Sequence, residues 1–314
     1  MRGLELARAY YETCGEPMLR AQFAELMPHI AVGLFGSGSE CFGYDDEISR
    51  DHDFGPGFML LLPSEVEVDR RTAFRLERAY AALPREFMGL RRSLVQPVGG
   101  PRRGVLRTAD FFTEKTGTPD GVLTLGQWLS VPEYALAEAV NGEVFYDGDG
   151  AVTAIRARLS AWPEDVRKKK LAGRLLLMAQ SGQYNYARCL RHGEGGAAQL
   201  AVVDFVRHAM SALFLLNGVY QPYYKWAFRA LRSLPRLSLL AELMEYLLTT
   251  DNEGNMAREK ARVIEGMAAD VIGELKRQQL TAADGDDLEK HAWSVNDTVE
   301  DPELRNAHIL AAAE

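Results

Sequence analysis

Apolar side chains recur at helical spacing from the start of the chain. Leu4, Ala7, Tyr10, Tyr11 and Cys14 are followed, past Gly15 and Pro17, by Met18, Phe23, Leu26 and Met27. This stripe predicts helix over 3–29. The unbroken run Ile30-Ala31-Val32-Gly33-Leu34-Phe35 predicts a buried strand. A turn of small residues, Gly36-Ser37-Gly38-Ser39, comes directly after it. A second apolar run over 58–62 predicts a strand stopped by Pro63. Ser64, with Glu67 three residues on, then predicts the capped start of a helix reaching about Ala82. Further along, 105–112 predicts strand and 125–140 predicts helix interrupted near Pro132. Residues 143–147 predict a short strand closed by Gly148-Asp149-Gly150.

The second half has a different pattern. From 151 to about 279 the spacing is helical almost throughout, with breaks near Pro163, 193–196, Pro222, Pro235 and Gly254. Residues 281–302, acidic and poor in large apolar side chains, predict a loose connection to a last short helix. The expected class is α+β: a small mixed β-sheet domain with flanking helices over 1–150, then an all-helical bundle domain over 151–314.

Composition narrows the function. With 314 residues, 47% of them hydrophobic, the chain can bury the cores of two domains. No apolar run reaches the length of a membrane span, so no membrane partner is expected. The N-terminal segment lacks the apolar core of a secretory signal, and Cys14, Cys41 and Cys189 are few and scattered. Both features fit a cytoplasmic protein without a cysteine-based zinc site. A net charge of −8 argues against non-specific coating of nucleic acid. A local basic groove from Arg91, Arg92, Arg102, Arg103 and Arg107 stays open.

The candidate chemistry starts at the Gly/Ser turn. Such a turn after a buried strand can wrap a phosphate with backbone N–H groups. It is not a Walker A loop, since no Gly-Lys-Ser/Thr follows, and its third glycine is out of register for a dinucleotide fingerprint. Asp51-His52-Asp53 follows, with 11 residues between Ser39 and Asp51. On a strand, Asp51 and Asp53 would face one side and could hold the same divalent metals, while His52 would face the other and serve packing.

This order of apolar strand, Gly-Ser, about a dozen residues and Asp-x-Asp resembles the signature of the nucleotidyltransferase superfamily. That superfamily includes the polymerase-beta-like palm and the antibiotic nucleotidyltransferases. The segment from Phe205 to Trp226 is similar to the helical C-terminal domain of aminoglycoside-type nucleotidyltransferases. The chain resembles still more closely a bacterial family of nucleotidyltransferase-like proteins that carries a Ser-Arg-Asp-His-Asp-Phe-Gly-Pro-like run, here Ser49 to Pro56. The resemblance spans 30–235.

It implies Mg²⁺- or Mn²⁺-dependent transfer of a nucleoside monophosphate, taken as AMP because ATP is the commonest donor, to an acceptor hydroxyl. Asp51 and Asp53 would bridge the metals. Gly36, Ser37, Gly38 and Ser39 would hold the β- and γ-phosphates. Lys225 would contact the triphosphate by resemblance to the antibiotic enzymes. Gln183, Asn185, Arg188, Arg191 and Arg207 are candidates for the acceptor side, whereas the run 167–170 reads as a solvated face.

A third carboxylate is expected on a neighbouring strand. Residues 105–108 hold none, leaving Asp110, or Glu143 and Asp147 from a later strand. Each has a plain alternative, Asp110 as a helix cap and Asp147 as a turn former. That gap keeps a second function open, a nucleotide sensor or partner-binding protein without turnover. The arginine cluster keeps a third, a toxin-like transferase acting on tRNA or protein.

Overall fold

The computed structural model describes residues 1–48, 54–92 and 102–312. The chain is α+β, and it separates into two compact units. The first comprises 1–124 with 131–161, and the second 125–130 with 162–314.

A four-stranded sheet organises the first unit. Strands β1 (Ala31–Leu34) and β2 (Met59–Leu62) are buried at every position, as their non-alternating apolar sequences require. They pair antiparallel, Ala31 opposite Leu61 and Gly33 opposite Met59. A short hairpin follows, β3 (Glu86–Phe87) and β4 (Leu90–Arg91). Strand β5 (Gly104–Arg107) lies parallel to β2, and β6 (Glu143–Asp147) antiparallel to β1. The order is β5-β2-β1-β6, a mixed sheet.

Helices cover this sheet with three departures from the pattern. The N-terminal stripe forms α1 (Gly3–Tyr10) and α2 (Glu16–Gln22) around a π-helical turn at Tyr11–Gly15, then a 3₁₀ stretch Ala24–His29. Gly15 closes that turn against the core, where a Cβ would lie 2.5 Å from the Phe58 ring. Ser64 and Glu67 do bond, Oγ to Oε2 at 2.8 Å, but close only a turn. Helix α3 (Arg70–Ala82) starts six residues later, where the Asp69 carboxylate accepts from Thr72 N at 2.7 Å. The strand expected over 105–112 ends at Arg107, whose guanidinium binds the carbonyls of Pro63, Ser64 and Val68. Helix α4 (Thr108–Thr116) begins there and buries Phe111 and Phe112. Helices α5 (Leu125–Ser130), α6 (Glu133–Val140) and α7 (Ala151–Ser160) follow; α5 belongs to the second unit.

In the second unit, α8 (Glu164–Met178) continues through a π-helical stretch, Ala179–Tyr186, into α9 (Ala187–Arg191). Helix α10 (Gly195–Leu216) is long and apolar enough to cross a membrane, yet most of it is buried inside this unit as its core. Helices α11 (Tyr224–Leu231), α12 (Leu240–Thr249), α13 (Gly254–Arg277), α14 (Leu288–Asp297) and α15 (Pro302–Asn306) complete it.

Two expectations are overturned here. The basic run 167–170 is not a solvated face, since Lys169 and Lys170 are buried. Lys168 binds Thr298 O, and Lys169 binds Asn296 Oδ1 and Ala307 O, so the ammonium groups satisfy carbonyls at the C-termini of α14 and α15. Nor is 281–302 a loose connection, because α14 buries Leu288, His291, Ala292, Val295 and Asn296.

Candidate functional site

The Gly36–Ser39 turn leaves the sheet at the C-terminal end of β1. Gly36 (φ +102°) and Gly38 (φ +131°) adopt backbone conformations that a side chain would strain. Residues 141 and 142, just before β6, clamp both ends of the turn. Asn141 accepts from Gly36 N at 2.8 Å and donates to Gly36 O at 2.9 Å, while Gly142 N donates to Cys41 O at 2.8 Å.

Inside that clamp, the backbone N–H groups of Ser37, Gly38 and Ser39 donate to no acceptor among the described residues. All three residues are partly exposed. Consecutive open amides on glycine-bearing backbone suit an anion of phosphate type.

Two ion pairs flank the turn. On one side Lys115 Nζ meets Glu138 Oε2 at 2.8 Å and Glu114 Oε1 at 3.1 Å. Ser37 Oγ donates to the same Glu138 oxygen at 2.8 Å and accepts from Lys115 at 3.3 Å. Burial opposes the Lys115 charge, but Glu138 and then Glu114 outweigh it and raise its pKa, so it is an ammonium and not a base. On the other side the buried Glu40 carboxylate pairs with Arg103 at 3.2 Å. Burial, reinforced by Glu40, pushes the Cys41 thiol well above its usual range and keeps it protonated.

Lys115, Glu138, Asn141 and Glu40 were not singled out by the sequence, and Arg103 was read only as a groove arginine. The Asn141-Gly142 turn signal was its only hint, and spacing says nothing of partners that distant.

The remaining candidates are distributed as follows. Asp51 and Asp53, with Ser49, Arg50 and His52, lie outside the described residues. Asp110 sits in the first turn of α4, exposed one turn before the exposed Glu114, whereas Phe111 and Lys115 face Gly36 and Ser37. Asp147 pairs in register with Ala31, at the end of β1 away from the turn. Five residues of extended chain put it roughly 16 Å from Gly36. One of its oxygens caps α7, accepting from Thr153 N at 2.7 Å and Thr153 Oγ1 at 2.6 Å. Glu143, opposite Leu34, is the β6 acid at the turn end, and it pairs with Arg8 at 2.7 Å. The structure therefore gathers the Gly/Ser residues, leaves Asp147 at the other end of β1, and gives Asp110 no bond to the turn. Among the described residues no group of three or more His, Cys, Asp or Glu could hold a metal.

Of the five candidate groove arginines, four have protein partners, Arg91 with Glu86 at the long distance of 4.0 Å. Arg92 donates to Tyr80 O, Arg103 pairs with Glu40 and Arg107 holds three carbonyls. In the second unit Lys225 is exposed near the start of α11, and its side chain makes no hydrogen bond or ion pair among the described residues. Gln183 and Asn185 line a cleft of about 540 Å³ with Gln180, Tyr184, Asp287 and Glu289. Gln183 is fixed there by Glu265, Asp286 and Leu288. Arg188 lies over the Tyr184 ring, while Arg191 and Arg207 are exposed.

Comparisons with known proteins add the following. A search of curated proteins finds no significant match. Residues 128–227 match the family model described as "Domain of unknown function (DUF4037)". The chain is similar to a solved nucleotidyltransferase-like protein from Exiguobacterium sibiricum 255-15, at 13% identity over 95% of this chain and 88% of that one, with a TM-score of 0.40.

Proposed function

We propose that the protein is a metal-dependent nucleotidyltransferase that moves a nucleoside monophosphate, AMP from ATP, to a hydroxyl of a small molecule or macromolecule. The observation that carries this reading is the set of three open amides at Ser37, Gly38 and Ser39, held at the end of a buried strand. Those amides suit the β- and γ-phosphates. The Asp51-x-Asp53 pair precedes β2 in sequence, and β2 begins beside Gly33, at the turn end of β1. Mg²⁺ or Mn²⁺ held by Asp51 and Asp53 would neutralise the triphosphate. The chain's own part is to cradle the phosphates and hold the donor in line for attack.

The test is pyrophosphate release from each of the four ribonucleoside triphosphates with Mg²⁺ or Mn²⁺ and a broad acceptor library. Wild type should release pyrophosphate from one of them, and Asp51→Asn/Asp53→Asn should lose that release by at least about a thousandfold. Release that survives the double substitution would sink the proposal.

The positions of Asp110 and Asp147 favour a second reading. With Asp147 at the far end of β1, no acid on β5 and no hydrogen bond from Asp110 to the turn, a nucleotide sensor that binds without turnover fits the described residues. Metal-dependent nucleotide binding without pyrophosphate release would select it.

A further inference from the structure

The Gly36–Ser39 turn presents open amides to an anion, yet two carboxylates stand against it. Glu138 accepts the Ser37 hydroxyl proton at 2.8 Å, and a Cβ on Gly38 would lie 2.6 Å from Glu40 Oε2. Unbalanced carboxylates here would repel the ligand that the amides attract. Each is matched by one cation, Glu40 by Arg103 and Glu138 by Lys115. The Lys115 and Glu138 side chains are only 11% and 12% exposed, so water screens their charges little. Lys115 places its ammonium on Ser37, Glu138 and Glu114, so its three donors are all committed.

We infer that Lys115 is a charge-balancing, positioning residue for the anion-binding turn. It closes Glu138 into an ion pair against Ser37 and so lets the turn accept a triphosphate or pyrophosphate. It touches no phosphate itself. Glu138 in turn holds the Ser37 hydroxyl inward, away from the open amides. The inference rests on the nucleotide-binding reading of the same turn and adds two residues to it, from α4 and α6.

The experiment measures MgATP and Mg-pyrophosphate affinity by calorimetry on the full chain, with thermal melts of every variant. Lys115→Met should weaken binding roughly tenfold to a hundredfold, because it exposes the Glu138 charge to the ligand. Lys115→Met/Glu138→Gln and Lys115→Arg should both return to within about threefold of wild type. Glu138→Gln alone should bind as tightly as wild type or tighter, which keeps the inference testable if Lys115→Met fails to fold. A double variant as weak as Lys115→Met, or Glu138→Gln that binds more weakly than wild type, would overturn it in favour of simple packing. Lys115→Met with wild-type affinity overturns this inference alone. Wild type that binds neither ligand overturns the nucleotide reading and this inference with it.

Discussion

At the scale of single residues, the turn is the proposed site because of what it lacks. Gly36 and Gly38 have no Cβ, and three amides have no acceptor among the described residues. Gly142 shows how tightly that backbone is packed. A Cβ there would lie 2.2 Å from Leu34 O, at φ +61°, with backbone that cannot move aside. Gly142→Ala should therefore cost about 3 kcal/mol or more, whereas Gly117→Ala, at φ +78° with nothing within 4 Å, should cost about 1 kcal/mol. Urea melts of the two variants check this, and equal costs would count against a steric lock at Leu34. The Gly/Ser turn was legible because small residues after an apolar run are a local pattern. Its supports were not, because Lys115 and Glu138 reach Ser37 across 78 and 101 residues.

At the scale of elements, apolar runs made the strands readable, and caps decided where helices began. Ser64 and Glu67 read as a capping box and do bond, but Asp69 has the geometry to receive an N–H of α3 and so sets its start. The β3–β4 hairpin went unread because Met88-Gly89 is not a usual turn pair. Met88 takes φ +50° in the structure. One contact between elements joins helix to sheet through a single hydroxyl. The buried Tyr80 Oη donates to Phe58 O at 2.8 Å and accepts from Phe58 N at 3.1 Å. Phe58 O keeps a second donor, Gly104 N at 2.9 Å, so Tyr80→Phe orphans mainly the Phe58 N–H. We expect a loss of about 1–3 kcal/mol in chemical denaturation. A loss within error of zero would show that Phe58 finds another partner.

At the scale of the whole molecule, the switch from mixed periodicity to continuous helix made the α+β class readable. What periodicity missed is that the basic run of α8 turns inward, because a lysine ammonium can satisfy helix C-terminal carbonyls as well as water can. The helical unit also carries a titrating weak point. Burial, with Arg174 3.3 Å away and Arg207 adding to it, pushes the His208 pKa down to about 4. The folded state thus holds the ring neutral while the unfolded chain protonates near 6.5. Its contribution to stability is whole above that pH and is lost as pH falls from about 6.5 to about 4. Part of the ring meets solvent, so the loss should be on the order of 2 kcal/mol. His208→Gln should show a shallower fall in unfolding free energy over that window. Parallel curves for variant and wild type would exclude His208 as the source.

The clamp on the turn has a consequence for the order in which the molecule is made. Strand β1 leaves the ribosome early, but Asn141, which fixes Gly36, is synthesised 105 residues later. Closing so long a loop is slow compared with forming local helix. The nascent chain therefore carries the Gly/Ser sequence for most of the synthesis of its first unit without the bonds that clamp it. Strand β6 is the last strand of the sheet to be synthesised, and with it come the residues that hold both ends of the turn. A chain stopped before residue 141 has every residue of the turn and neither of the two that clamp it.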